Sequence, residues 1–258
     1  NIENVIRVKT WIASGDMDKA IDYLREKGQK LAAKRADRDA SEGSVLAAVN
    51  QDKTFAAVIM MNCETDFVAK NDGFVDFAKS VLNAAIAAKA KDLQAVMSLT
   101  IDGVSVETMI IEQVAKIGEK ITLSHYLPIE APATYAYVHP GNRMASVVGL
   151  SKTGYDEEGK EMAMQVIAGR PVALNKATVP AEVIEREMEV YRGQVREEGK
   201  PENMVEKIAE GKLNKFFKES TLLSQEYTRE AKVSVEEHLK KIDKDLTVTA
   251  FQRAELGE

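Results

Sequence analysis

After residue 43 the period of apolar positions changes from helical to extended. "SVLAAVNQDKTFAAVIMMNC" carries two apolar runs around a polar turn at residues 50–53, which predicts a β-hairpin. The second run, Phe55 to Met61, is apolar without a break, as expected of a strand buried on both faces. A buried helix segment would read similarly, but the short length and flanking turns favour a strand. Before the hairpin, Ser14–Gly15–Asp16 marks a helix start, and Ala20, Ile21 and Leu24 follow at helical spacing. Gly28 is the expected C-cap, with Lys27 in the last turn, and a basic stretch through Lys30, Lys34, Arg35 and Arg38 leads on as solvated helix or linker. After the hairpin, Asp72 is placed to cap a helix, and Phe74, Phe77, Ala78, Val81, Leu82, Ala85 and Ile86 form its buried face. A shorter helical piece around "VETMIIEQVAKIGE" comes next, and "KITLSHYLPIE" alternates like a strand that stops at Pro128.

The second half repeats this plan. "ATYAYVHPGNRMASVVGL" is again two extended runs about a turn at residues 139–142, helical segments follow, and "LTVTAFQRAEL" closes the chain as a strand. Two long stretches of mixed charge lie between residues 180 and 219, divided at Gly199 and Pro201. With Val183, Ile184, Val190, Val205, Ile208, Leu213 and Phe217 as their apolar minority, they predict an αα-hairpin projecting from the body. The expected fold class is therefore α+β, with two tandem subdomains of small antiparallel sheets packed by helices. The expected divisions are an N-terminal helical segment over residues 1–40, a first subdomain over 41–132, and a second over 133–258 containing the hairpin at 180–219.

Composition narrows the function. A net charge of -6 argues against a sequence-independent grip on a phosphate backbone, so no direct nucleic-acid binding is expected. One cysteine excludes an internal disulfide framework and fits a reducing compartment. No apolar stretch approaches bilayer length, and the expectation is a soluble, cytoplasmic protein. The chain opens on Asn1 rather than methionine, so it is read as beginning inside a longer one.

Enzymatic chemistry finds little support. His125, His139 and His238 have no metal-ligand spacing, and no glycine loop stands in a phosphate-binding context. Cys63 would need a base such as His125 or His139 brought to it across a sheet to act as a nucleophile. At the end of an apolar run it reads instead as a small buried hydrophobe. No cofactor or metal site is expected.

One stretch resists this account. In "MNCETDFVAKND", residues 61–72, Phe67 sits among polar neighbours. Thr65 and Asp66 can cap a short turn just beyond a buried strand, and such a mount would hold Phe67 outward. The ring could equally fold beneath the helix that follows, together with Val68; the residues alone leave both open.

That stretch also carries a resemblance. "GDMDKAIDYLREKG", "MNCETDFVAKNDGFVDFAKSV", "VAKIGEKI", "EEGKPENMVEKIAEGKLNKF" and "VTAFQRAELGE" together resemble bacterial elongation factor Ts, the guanine nucleotide exchange factor of elongation factor Tu. The match runs from about Gly15 to the end of the chain. It implies that Thr65, Asp66, Phe67 and Val68 form the family's partner-binding turn. There the aspartate and the phenylalanine enter the partner's nucleotide-binding domain beside its magnesium site, and GDP leaves. It further implies partner contacts for Ile117 and Gly118, near the turn, and for His139, at the tip of the second hairpin. Ile117 could equally be a core residue of its helix, and His139 an ordinary turn residue. Asp72 and Phe74 are read as helix cap and core. By the same resemblance the protein works by binding, without covalent chemistry of its own; a scaffold that binds elongation factor Tu without accelerating exchange is the alternative. Homodimerisation or a 2:2 complex stays open.

The chain departs from the family pattern at three places. "NIENVIRVKTWIA" stands where the family has a small three-helix module with an Arg-x-x-Thr-Gly-Ala-Gly-Met signature. "QEYTRE" brings Thr228 and Arg229 to a position where an apolar pair is usual, and the chain ends at "AELGE" without the further helix of some members.

Overall fold

The computed structural model describes residues 2–258, with side chains from residue 5 onward; the first four side chains of the divergent opening lie outside the described residues. Helices α1 (Ile2–Ala13) and α2 (Met17–Lys34) lead into strands β1 (Glu42–Val49) and β2 (Phe55–Cys63). A one-turn helix α3 (Asp66–Ala69), then α4 (Asp72–Ala87) and α5 (Leu93–Ser98), come before the short strands β3 (Thr100–Ile101) and β4 (Val104–Ser105). Helix α6 (Val106–Ile117) and strand β5 (Thr122–Glu130) complete the first half. The second half runs β6 (Ala133–Val138), β7 (Met144–Leu150), α7 (Asp156–Gly169), α8 (Ala181–Glu197), α9 (Glu202–Ser220), α10 (Val235–Ile242) and β8 (Val248–Glu255).

The repeated plan is real at the level of topology. Both three-stranded sheets are antiparallel and share one order, with the hairpin's second strand in the centre: β1-β2-β5 and β6-β7-β8. The fold is α+β, as the patterns predict.

The unbroken apolar run of β2 has a two-layer explanation. Alternate side chains of a strand point to opposite faces. Phe55, Ala57, Ile59, Met61 and Cys63 enter one core with the apolar face of α4 and with Val106, Ile110 and Val114 of α6. Ala56, Val58 and Met60 enter a second core, where Ala145 and Val147 of β7 and Ala254 of β8 meet them from the other sheet. The sheets therefore pack face to face, each with helices on its outer side, and β2 has no solvated face. Full burial of each large side chain there contributes about 1.5–3 kcal/mol.

Several local expectations change. Gly28 does not end its helix; α2 continues to Lys34. A Cβ at Gly28 would meet Ala115 Cβ at 3.1 Å and the Ile111 carbonyl oxygen at 3.2 Å, so the glycine lets α2 lie close against α6. Asn71, not Asp72, caps α4, its Oδ1 accepting from the N–H groups of Gly73 (2.9 Å) and Phe74 (3.3 Å). Strand β5 runs through Pro128 to Glu130. It is an edge strand of its sheet, where the absence of an N–H at proline is tolerated.

Helices α8 and α9 form the predicted αα-hairpin. Their seam is made by Met188, Val195, Val205 and Ala209, whereas Val190 is exposed. Arg192–Glu206, Arg196–Glu202 and Lys212–Glu198 pair across it. At the base, Phe217 packs with Ala173 and Val179 in a small separate cluster. Among the described residues no helix is long and apolar enough to cross a membrane.

Candidate functional site

Strand β2 ends at Cys63, and the chain turns at once into α3. Thr65 is the N-cap: its Oγ1 accepts from the Val68 N–H at 3.4 Å. The Asp66 carboxylate accepts from Lys70 Nζ at 2.6 Å, and this bond above all draws its pKa below the usual carboxylate value. Val68 and Ala69 pack against the first core. Phe67 points the other way and is 84% exposed, the most exposed large apolar side chain described. The choice left open by the residues is decided for the free protein: the ring is outside.

The turn is held from a distant part of the chain. Gly118 caps α6 in the left-handed region, φ 85°, and the chain swings back toward α3. Glu119 Oε2 accepts from the N–H groups of Glu64 and Thr65, each at 3.1 Å, and Oε1 accepts from Thr65 Oγ1 at 2.7 Å. Glu64 returns the arrangement. Its Oε1 accepts from the Lys120 N–H at 2.6 Å and from Arg35 Nη1 at 2.7 Å, and these two partners, the backbone amide first, hold its carboxyl below the usual range. Ile117 packs against the first core as the last residue of α6, so its apolar surface is partly spent on the fold.

His139 lies at the exposed tip between β6 and β7. Its N–H donates to the Met144 carbonyl at 2.9 Å, and its Nδ1 lies 3.1 Å from the Tyr137 hydroxyl. The tip is pinned to the first sheet: the Val45 N–H donates to the Asn142 carbonyl at 2.8 Å, and Arg143 pairs with Glu42 at 2.8 Å. Glu42 is the register partner of Cys63, the residue from which the Thr65–Val68 turn departs. The fold thus gathers the turn, the 117–119 segment and the His139 tip at the same end of the β1–β2 ladder, although they are far apart in sequence.

Cys63 is buried beneath the turn, and burial pushes its thiol up to about 12. Its Sγ donates to the Thr65 carbonyl at 3.2 Å. His125 lies opposite Met60, and no histidine is in hydrogen-bond contact with the thiol. Thr228 and Arg229 are both exposed. The Thr228 N–H donates to Gln165 Oε1 at 2.9 Å, and Arg229 pairs with Glu161. Neither Glu119 nor Glu64 stands in a sequence motif for this role; the one local sign is that Glu119 directly follows the helix-ending Gly118.

Comparison with known proteins decides the kinship. A family model described as Elongation factor TS matches residues 64–258. The chain belongs to the elongation factor Ts family. An elongation factor Ts of Christiangramia forsetii is 47% identical over 247 residues, covering 95% of this chain and 89% of its own length. That of Amoebophilus asiaticus is 45% identical over 248 residues, covering 95% and 90%. Elongation factor Ts of Porphyromonas gingivalis, at 38% over 247 residues, covers 95% and 89%. The family match includes the whole Thr65–Val68 turn, Glu119 and the His139 tip.

Proposed function

We propose that this chain is the guanine nucleotide exchange factor of elongation factor Tu, and that it acts by inserting Asp66 and Phe67 beside the partner's magnesium site. Membership of the elongation factor Ts family supports the partner and the activity. The single observation that carries the insertion is Phe67: an aromatic ring 84% exposed on a turn that is hydrogen-bonded to Glu119, in the segment after α6. Leaving a phenylalanine in water has no benefit for folding. Held outward on a fixed base, it is ready to enter a partner without the entropy loss of ordering a loop. Ile117, Gly118 and His139, gathered at the same end, extend the contact.

The mechanism requires no bond chemistry. Magnesium needs near-ideal octahedral geometry, so a ring that displaces backbone around it weakens nucleotide binding. Binding of the factor and of GDP then oppose each other by one coupling free energy, and each loosens the other. GTP enters the emptied site.

Release of a fluorescent GDP analogue from the cognate elongation factor Tu tests this reading, with wild type and Phe67→Ala compared. A desolvated aromatic hot spot is worth roughly 2 kcal/mol or more, so the variant should lose about thirtyfold in apparent efficiency. Its thermal stability should match wild type, because the lost ring is already in water. If Phe67→Ala binds and releases GDP like wild type, insertion is wrong. If wild type binds without accelerating release, the chain is a scaffold.

A further inference from the structure

We propose that Glu119 is a positioning residue for the Thr65–Val68 turn, setting the direction from which Phe67 meets the partner. This rests on the reading of that turn as the partner-binding element. Helix α3 has four residues, too few to hold its own orientation, because a single helical turn costs more backbone entropy than its hydrogen bonds return. The N–H groups of Glu64 and Thr65 lie past the end of β2, where the ladder no longer supplies acceptors. Both are given to one carboxylate, and the same carboxylate accepts the hydroxyl of the residue that caps α3. Glu119 therefore fixes the backbone two residues before the ring and the cap that starts the ring's helix.

The carboxylate itself is mounted on a rigid body. It follows directly on α6, which Val106, Ile110 and Val114 anchor in the first core. A Cβ at Gly118 would meet nothing within 4 Å, so the glycine there serves the left-handed backbone rather than space. The second half of the clasp runs the opposite way. Glu64 accepts from the N–H of Lys120, and Lys120 Nζ donates to the carbonyls of Ala36 (2.6 Å) and Arg38 (2.9 Å). Arg35, the C-cap of α2, completes it. Two loops thus brace each other through reciprocal carboxylate–amide bonds, and rotation of the turn would break several of them together.

The test uses the full chain as Glu119→Ala and Glu119→Gln, each with Phe67 intact and in a Phe67→Ala background. The readouts are amide hydrogen exchange at Glu64 and Thr65, and the maximal rate of fluorescent GDP analogue release from elongation factor Tu. In Glu119→Ala both amides should exchange faster, and the maximal release rate should fall about tenfold, the equivalent of one lost hydrogen bond to a charged group. Glu119→Gln keeps the length with one carbonyl acceptor and should recover part of that loss. In the Phe67→Ala background the same substitutions should change the rate little, since the ring whose direction they set is gone. An equal loss in both backgrounds, or unchanged amide exchange, overturns the positioning role. Faster amide exchange with an undiminished release rate overturns it as well and leaves the exchange reading standing. Wild type that does not accelerate release at all overturns both.

Discussion

Replacing a helical glycine by alanine should have opposite effects in α7 and in the helical hairpin. Within a helix the exchange relieves roughly 1 kcal/mol of backbone entropy cost wherever a methyl group fits. At Gly193 in α8 and Gly211 in α9, an added Cβ meets nothing within 4 Å, so each substitution should stabilise its helix by about 1 kcal/mol. At Gly159 in α7 the same atom would lie 2.2 Å from Tyr135 Cδ2, 2.3 Å from Cε2 and 2.4 Å from Cγ. Tyr135 has little room to yield: it is buried in the second half's core, and its hydroxyl donates to Asp156 at 3.0 Å. Overpacking costs about 1–3 kcal/mol and the displaced hydroxyl about 1 more, against a propensity gain of about 1, for a net loss of about 1–3 kcal/mol. In a chain of this size that corresponds to a drop of roughly 2–12 °C in Tm. Urea and thermal denaturation followed by circular dichroism would measure Gly159→Ala. Amide exchange along α8 and α9 would measure the other two, because a hairpin packed mainly on itself can open locally. A Gly159→Ala protein as stable as wild type would refute the packing argument, since nothing else separates it from the hairpin glycines.

Two further outcomes follow from the turn and the strand beneath it. With its thiol pushed up to about 12 by burial, Cys63 should be inert to thiol reagents at pH 8. Its thiolate fraction alone should be about a thousandfold below that of an ordinary exposed cysteine. Rapid labelling of the native protein, at a rate close to that in denaturant, would contradict this. Glu64 has a folded pKa below its unfolded value, so its contribution to the turn is complete above the unfolded value and is lost as pH falls through the folded one. The Lys120 amide proton shift should therefore titrate with an inflection below the ordinary glutamate pKa. An inflection at or above that value would show that the clasp does not favour the charged carboxylate.

Much of the architecture is legible along the chain. The period of apolar residues located both hairpins, the closing strands, the αα-hairpin and every buried position of α4, because burial of one face is written at a fixed spacing. It singles out the aromatic at residue 67 too, but not its direction: Phe67 beside Val68 is compatible with the ring turned in or out. Local rules failed where a tertiary contact outweighed them. Gly28 looks like a helix stop and is instead a point of close approach between α2 and α6; Pro128 looks like a strand stop and is tolerated at a sheet edge. Periodicity says that a face is apolar and not what covers it, so the meeting of the two sheets over Val58, Met60 and Val147 had to come from the fold. The same holds for the clasp of Glu119 on Thr65. A carboxylate about fifty residues away has no local signal that names its acceptor role, and only closure of the chain through α4, α5 and α6 carries it there.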